Sequence, residues 1–218
     1  HEYECKSISF TYTEPTIYFE YAYETSLLAK EEGLATVFVT NGYTTPEPLI
    51  AIQPCLDAAN IDLKSFSDEF YRKVCGAQLQ PVLDTIRLYH QLGIWIEITT
   101  LIIPGYNDSD EELRSIAQFI KTIDEKIPWH ITAFYPTYRL TDQNRTSVTT
   151  LRRAREIGLS EGLRYVYEGN IPGEGGESTY CYSCNNLLIQ RLGFSIIENR
   201  IQDQKCPNCQ SPIDGVGI

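Results

Sequence analysis

The stretch WIEITTLIIPGYNDSDEELRSIAQFI, residues 95–120, has the pattern of one complete strand–turn–helix unit. It begins with a nearly continuous apolar run, which is typical of a parallel strand buried on both faces. Pro104 and Gly105 then indicate a turn, and Ser109 with Glu112 has the spacing of a capping box at a helix start. The stretch therefore predicts one βα unit of an α/β fold.

The same alternation of strand and helix patterns extends over most of the chain. Strands are predicted at residues 7–13, 36–41, 58–64, 95–103, 129–135 and 163–168. Helices are predicted from Pro15 to Gly33, between Pro81 and Gly93, from Ser109 onward, and around Val148. Repeated βα units with right-handed crossovers predict a parallel sheet, either open or curled into a barrel.

The composition changes near Pro172, where the run PGEGGES, residues 172–178, is typical of a loop. We therefore expect two parts, an α/β unit over residues 1–171 and a small unit over residues 172–218, called here the C-terminal tail. A unit of about forty residues needs a disulfide or metal staple to hold its fold.

The C-terminal tail contains two Cys-x-x-Cys pairs. The pairs are Cys181 with Cys184 and Cys206 with Cys209, and 206 − 184 − 1 = 21 residues lie between them. This spacing predicts a closed four-cysteine zinc site of the zinc-ribbon kind, which supplies folding energy rather than catalysis. A single iron suits the same geometry, and two disulfides or four free thiols are the alternatives.

Composition excludes several classes of partner. The formal charge is 18 − 29 = −11, so the chain lacks the clustered positive charge of a protein held to nucleic acid by phosphate contacts. No apolar run reaches the roughly 18 residues of a membrane span, and no basic segment precedes an apolar one as in a secretory signal. With an odd cysteine count of seven, these features predict a cytoplasmic protein without nucleic-acid or membrane partners.

Polar side chains recur where the predicted strands end, the edge at which parallel α/β folds bind ligands. A carboxylate at Glu14 can accept hydrogen bonds from a ligand ammonium, Lys64 can pair with a ligand carboxylate, and Asp62 can hold a cation or a hydroxyl. Taken singly, each segment reads as a helix cap or a solvated loop. Together they suit an amino acid joined to a nucleoside. The segments are Thr13-Glu14-Pro15, Thr40-Asn41-Gly42, Asp62-Leu63-Lys64 and Pro104-Gly105-Tyr106-Asn107-Asp108.

The order of these segments resembles the radical S-adenosylmethionine (SAM) enzymes. Within them the chain is most similar to the pyruvate formate-lyase activating enzyme-like branch called the AmmeMemoRadiSam radical SAM family. The phrases that carry the resemblance are FTYTEPT (residues 10–16), VTNGY (39–43), ANIDLKSF (59–66), GNIPG (169–173) and the terminal Cys-x-x-Cys pairs. The resemblance implies a partial (β/α)6 barrel of the radical SAM, TIM-like kind.

The resemblance also implies an activity. SAM would bind a [4Fe–4S] cluster, an electron donor would reduce it, and the 5′-deoxyadenosyl radical would abstract hydrogen from a protein or small-molecule substrate, as in activation of glycyl-radical enzymes. Thr13 and Glu14 correspond to the segment that meets the methionine ammonium. The other residues that correspond to SAM contacts are Thr40, Asn41, Gly42, Asp62, Lys64, Thr99, Leu101 and Tyr138.

The sequence departs from the family in its cysteines. They stand at 5, 55, 75, 181, 184, 206 and 209, and no three have the CxxxCxxC spacing of the cluster ligands. Cys5, Cys55 and Cys75 are interpreted as packing residues. The absence of Met favours a truncated chain whose first strand and cluster ligands lie upstream. Such a fragment is expected to be inactive alone. The alternative is a natural variant that has lost the cluster.

Two further hypotheses come from other functional classes. In the first, the chain is a non-catalytic scaffold that binds SAM or a partner, with the C-terminal tail as a zinc-ribbon adaptor. In the second, it is an aldolase-like barrel in which Lys64 forms a Schiff base beside Asp62; no second acid–base pair accompanies them.

Overall fold

The structure is a computed structural model that describes residues 5–171, 173–193 and 195–216. The chain divides into two compact units, residues 1–99 and residues 100–218, called here the first and second unit. Pro172, where the sequence pattern changes, lies outside the described residues. The division into residues 1–171 and 172–218 stays a prediction.

The first unit is built from parallel strands with helices between them. Strands β1, β2, β3 and β4 pair in chain order, and each of these three pairings is parallel. Buried Phe38, Ile61 and Ile98 come from three of these strands, so the sheet supplies much of the core. The elements are β1 (Ser7–Phe10), α1 (Phe19–Glu31), β2 (Ala35–Thr40), α2 (Pro46–Ile52), β3 (Ala58–Asp62), α3 (Asp68–Phe70), α4 (Leu79–Gln91) and β4 (Trp95–Ile102), whose last residues belong to the second unit.

The second unit continues the α/β pattern and ends in a small antiparallel sheet. Strands β5 and β6 pair in parallel, and β1 to β6 follow one another in chain order in one six-stranded sheet. This arrangement confirms the predicted α/β fold. The remaining elements are α5 (Asp110–Ile123), β5 (Trp129–Ala133), α6 (Val148–Ser160), β6 (Val166–Gly169), β7 (Thr179–Tyr180), β8 (Leu187–Leu192) and β9 (Ser195–Asn199), the last three forming the antiparallel sheet.

Several element ends differ from their predictions. Strand β1 ends at Phe10 rather than at residue 13, and α1 begins at Phe19 rather than at Pro15. A turn closed by the Ile17 amide on the Glu14 carbonyl, at 3.0 Å, fills the gap. Helical backbone is disfavoured for the residue before a proline, which agrees with the absence of helix at Glu14.

Strand β5 ends at Ala133, two residues before its predicted end. The next amide, that of Phe134, donates to the Thr146 hydroxyl at 2.8 Å, and this hydroxyl donates to the Ile102 carbonyl at 2.5 Å. The hydroxyl of a buried side chain 12 residues away therefore replaces the hydrogen bond that a neighbouring strand would make. A local sequence pattern does not indicate this replacement.

The core of the second unit centres on Trp129. Its side chain is fully buried, and its indole Nε1 donates to the Thr100 hydroxyl at 2.9 Å. A Cβ at Gly158 would lie 3.0 Å from the indole ring, so glycine lets α6 approach the ring closely. A buried tryptophan needs such a partner for its N–H group.

The Tyr89 hydroxyl is buried without a hydrogen-bond partner among the described residues, and burial raises the pKa of this phenol, with a further contribution from Glu14. We expect Tyr89→Phe to raise the free energy of unfolding by about 1 kcal/mol, because an unsatisfied buried donor is costly.

The matched control for Tyr89→Phe is Tyr71→Phe. The Tyr71 hydroxyl, on a buried side chain, accepts from the Lys64 amide at 3.1 Å, so its removal should lower stability by about 1 kcal/mol. Urea denaturation measures both changes, and a loss of stability in Tyr89→Phe would contradict the interpretation.

Glu168 on β6 is a buried carboxyl whose pKa is raised by desolvation, an effect that Arg155 and Arg152 partly oppose. The folded chain therefore holds this proton to higher pH than the unfolded chain does, and stability is lost as pH rises above the ordinary carboxyl pKa. We expect Glu168→Gln to gain stability relative to wild type between about pH 4.5 and neutrality.

Thermal unfolding of both chains across this pH range measures the difference. Glu198→Gln is the control, because its exposed carboxylate pairs with Arg200 at 2.7 Å and has a lowered pKa. A wild-type minus Glu168→Gln difference that is constant with pH would show that Glu168 titrates normally.

Candidate functional site

A buried carboxylate follows β1 and binds the end of β2. Glu14 is 6% exposed, and its Oε1 accepts from the Thr40 hydroxyl at 2.7 Å. Its Oε2 accepts from the Asn41 amide, also at 2.7 Å. The Thr16 amide and hydroxyl add contacts to Oε1 at 3.3 and 3.1 Å. These bonds hold the carboxylate in one orientation at the strand end.

The negative charge of Glu14 has no cationic partner in the described part of the chain. All four of its donors are neutral groups, and its Oε2 accepts from the Asn41 amide alone. A carboxylate oxygen accepts two hydrogen bonds, so Oε2 retains capacity for one more donor. A buried unpaired charge is costly, and a ligand ammonium would supply both the donor and the compensating charge.

The segment Thr40-Asn41-Gly42 forms a tight turn beside this carboxylate. The Gly42 amide donates to the Thr40 hydroxyl at 3.1 Å, and the Tyr43 amide donates to Asn41 Oδ1 at 2.8 Å. Gly42 has φ of +69°, and a Cβ there would lie 2.8 Å from the Ile61 side chain. Glycine is therefore required at this position for both backbone conformation and space.

Two polar pairs involve residues of β3. Lys64 Nζ and Asp62 Oδ2 form an ion pair at 2.7 Å, and the Thr99 hydroxyl donates to Asn60 Oδ1 at 2.7 Å. The predicted residues Asp62, Lys64 and Thr99 thus have polar neighbours in the first unit. Asn60 was not predicted, although its place two residues before Asp62 on a strand indicates the same face.

The other predicted SAM contacts are Thr13, Leu101 and Tyr138. Thr13 is exposed just before Glu14. In the second unit, the Leu101 carbonyl accepts from Asn107 Nδ2 at 2.9 Å, and Tyr138 is 82% exposed on the loop before α6 with the Arg139 guanidinium 5.2 Å from its ring centroid. Their contacts with a nucleoside stay predictions. Asn107 is buried and also accepts from the Ile103 amide at 2.7 Å, so it supports the end of β4.

The four cysteines of the C-terminal tail converge. All are free thiols, and their Sγ atoms all lie within 4.8 Å of one another, with Cys181–Cys209 and Cys184–Cys206 both at 3.6 Å. A tetrahedral zinc site with Zn–S bonds of about 2.3 Å has S–S edges of about 3.8 Å. The cysteine group therefore fits a single four-coordinate ion, and it leaves no coordination position open.

Two equivalent backbone turns present these thiols. The Asn185 amide donates to the Cys181 carbonyl at 2.8 Å, and the Gln210 amide donates to the Cys206 carbonyl at 2.9 Å. Asn185 and Gln210 both have left-handed backbone, with φ of 56° and 62°. A matching turn is thus present at each Cys-x-x-Cys pair.

The thiols differ in their electrostatic surroundings. Hydrogen bonds with Ser211 lower the pKa of Cys209 to about 6, and a hydrogen bond from Asn208 lowers the pKa of Cys184. Burial raises the pKa of Cys181 to about 12. Metal binding requires thiolates, so a cation that holds Cys181 must displace its proton.

Comparison with known proteins gives the family. A sequence model described as the Radical SAM superfamily matches residues 1–120. Uncharacterized protein MJ0808 of Methanocaldococcus jannaschii is 47% identical over 215 residues, which is 97% of this chain and 64% of the relative. The chain therefore spans less than two thirds of that relative's length.

More distant similarity is to activating enzymes. The pyruvate formate-lyase-activating enzyme of Clostridium pasteurianum is 27% identical over 128 residues, 56% of this chain and 53% of the enzyme. A crystallised domain of the pyruvate-formate lyase-activating enzyme of Bacteroides vulgatus has a TM-score of 0.65 at 18% identity, and the match covers 75% of this chain and 99% of that domain.

Among the described residues, no helix has the length and apolar character needed to cross a membrane.

The cysteine geometry predicts the metal content of the protein. We expect the purified chain to hold about one equivalent of a single metal ion, and Cys206→Ser to lose it, because three thiolates leave the ion incompletely coordinated. Cys55→Ser is the control, since Cys55 is buried elsewhere and its thiol lies 3.3 Å from the Ile52 carbonyl. Elemental analysis measures both, and less than about half an equivalent in the wild-type chain would refute the site.

Proposed function

Because the chain belongs to the Radical SAM superfamily, we propose that it is the SAM-binding part of an enzyme similar to the activating enzymes of glycyl-radical enzymes. The observation that carries this proposal is the buried Glu14 carboxylate, which is oriented by Thr40 and Asn41 and lacks a cationic partner among the described residues. The methionine ammonium of SAM matches it in charge and in hydrogen bonding.

The neighbouring groups support binding of the rest of the amino acid moiety. The side chains of the Asp62–Lys64 pair are 35–40% exposed and lie at the end of β3. We propose that Lys64 pairs with the carboxylate of SAM and that Asp62 orients Lys64. We also propose that the Thr40-Asn41-Gly42 turn and Thr99 contact the nucleoside part.

The residues of this chain do not fit a [4Fe–4S] cluster. Cys55 is buried on its own and Cys75 lies on a different segment, and burial raises the pKa of both thiols. The four tail cysteines close around one ion, with S–S distances shorter than a cluster with one thiolate per iron requires. No step of cluster chemistry is therefore assigned to these residues. We propose that the cluster ligands lie in sequence outside the 218 residues.

The complete enzyme would also have an electron donor, a substrate and a cellular compartment that its chemistry requires. The complete enzyme would require an electron donor and would act on a protein or a small molecule. It would be cytoplasmic, because its unpaired thiols suit a reducing compartment. The metal of the C-terminal tail is proposed to be zinc in a structural role, since the closed thiolate site has no position for a substrate.

In the decisive experiment, the coding sequence upstream of residue 1 is determined and the protein is expressed from the full reading frame. We expect a CxxxCxxC segment there, and we expect the anaerobically reconstituted protein to release 5′-deoxyadenosine from SAM when dithionite is added. A full reading frame without that segment would overturn the radical enzyme assignment and favour the scaffold alternative, in which the strand ends bind SAM without cleaving it.

The role of Glu14 is tested separately by ligand binding to that protein. We expect Glu14→Gln to weaken SAM binding about tenfold or more, because it removes a charge-assisted hydrogen bond. Binding of 5′-methylthioadenosine, which lacks the amino acid moiety, should be unchanged.

Glu20→Gln, on the exposed face of α1, is the control for Glu14→Gln and should bind both ligands as the wild type does. An equal loss of both ligands in Glu14→Gln would show that the substitution disturbs the fold rather than the ammonium contact. The aldolase-like alternative is tested by borohydride trapping, which should label Lys64 only if that alternative is right.

A further inference from the structure

A cavity of about 520 Å³ lies in the second unit between α6, β6 and the first Cys-x-x-Cys turn. Its walls include Arg155 and Arg164 from the α/β part and Tyr180 and Tyr182 from the C-terminal tail. This volume falls within the range of sites that bind small molecules. None of the residues proposed above to contact SAM lines it.

Arg155 brings to the cavity a positive charge that interacts electrostatically with Glu168 but forms no ion pair with it. Its Nε donates to the Val166 carbonyl at 3.0 Å, and its guanidinium carbon lies 5.8 Å from the centre of the Tyr180 ring. Within the described part of the chain, no carboxylate forms an ion pair with it. The two terminal amino groups of the guanidinium are therefore available as a fork for a carboxylate or a phosphate.

Other arginines nearby are already paired, which distinguishes Arg155 from them. Arg164 donates to Glu125 at 2.6 Å and to Asp214 at 2.8 Å, so both of its terminal amino groups are engaged. Arg152 pairs with Glu174 at 2.7 Å. The cavity thus contains one neutralised guanidinium and one that is open to a ligand.

The aromatic wall of the cavity is held in place. The Arg164 guanidinium lies 4.2 Å from the centre of the Tyr182 ring, and Tyr165 meets the same ring edge-on, with centroids 6.3 Å apart. Tyr165 is fixed in turn by Asp214, whose amide donates to its hydroxyl at 3.0 Å. A fixed ring in the same cavity as the Arg155 guanidinium can pack against the planar or apolar body of an anionic ligand.

We propose that this cavity binds a small organic anion. Its carboxylate or phosphate group pairs with Arg155, and its planar body packs against Tyr180 and Tyr182. A cationic ligand would be repelled by the open guanidinium, and a neutral one would leave the guanidinium without a counter-charge. The single open arginine excludes a polyanion such as nucleic acid, which needs several clustered cations.

The metal site forms part of the same wall. Cys181 and Cys184 line the cavity, and Tyr182 lies between them in the chain. An ion bound by the four thiolates would fix the turn that carries Tyr182. Metal and anion binding should therefore be coupled, each increasing the affinity for the other.

The test uses the full chain with its metal retained, and NMR titration with three probes. Benzoate and phenyl phosphate carry the two anionic groups, and benzamide is their neutral analogue. We expect the two anions to shift the amide signals of residues 180–185 and benzamide to leave them unchanged. The more tightly bound anion identifies the carboxylate or the phosphate as the preferred group.

Three variants test the role of Arg155. Arg155→Gln should weaken binding of the preferred anion about tenfold, because a charge-assisted hydrogen bond contributes about that factor. Arg155→Lys should recover only part of it, since lysine keeps the charge but loses the fork. Arg152→Gln, on the same helix and already paired, should bind as the wild type does.

Two outcomes would overturn the proposal. One is benzamide binding as tightly as benzoate, and the other is an unchanged affinity in Arg155→Gln whose remote amide signals match the wild type. Chelation of the metal should weaken anion binding while the signals of residues 5–99 persist. Unchanged anion affinity after chelation would refute the coupling to the metal site.

Discussion

The hydrogen bonds of the Glu14 carboxylate are the constraint on which the strand-end site depends. They join the turn after β1 to the end of β2, through the Thr40 hydroxyl and the Asn41 amide. Burying a carboxylate is unfavourable unless donors replace the lost water, and these bonds supply them. Because the donors are neutral, they fix the position of the charge without cancelling it. The chain thus keeps an oriented negative charge that a cationic ligand can complete.

The sequence predicts the elements of the fold better than their ends. Continuous apolar runs and helix caps indicate β1 to β6 and four of the helices, because both signals are local. The end of β5 is instead set by the Thr146 hydroxyl, which lies 12 residues beyond Phe134 in the chain. Short elements without periodicity, such as α2 and β7, give no signal that a pattern of period 2 or 3.6 detects.

The contacts of the candidate site residues likewise differ in whether nearby or distant residues in the chain determine them. The position of Glu14, Thr40 and Asp62 at strand ends is predictable, because parallel strands bring their carboxyl ends to one edge, and their contact with SAM stays a prediction. The pairing of Lys64 with Asp62 comes from residues two apart and is also within reach of the sequence. The partnership of Asn60 with Thr99 spans 39 residues, and the open state of Arg155 depends on where the neighbouring carboxylates lie. Such long-range contacts can be found only from the three-dimensional structure.

The geometry of the tail cysteines and that of the strand-end carboxylate suit different kinds of ligand. Four thiolates within 4.8 Å of one another saturate a single ion, so the ion has no position left for a ligand. The tail also buries few apolar side chains, chiefly Leu188, Ile189 and Ile213, and a core of this size does not hold a fold alone. Metal binding there would stabilise the turn that forms one wall of the Arg155 cavity. In a chain of net charge −11, the Glu14 carboxylate and the Arg155 guanidinium would then select ligands of opposite charge.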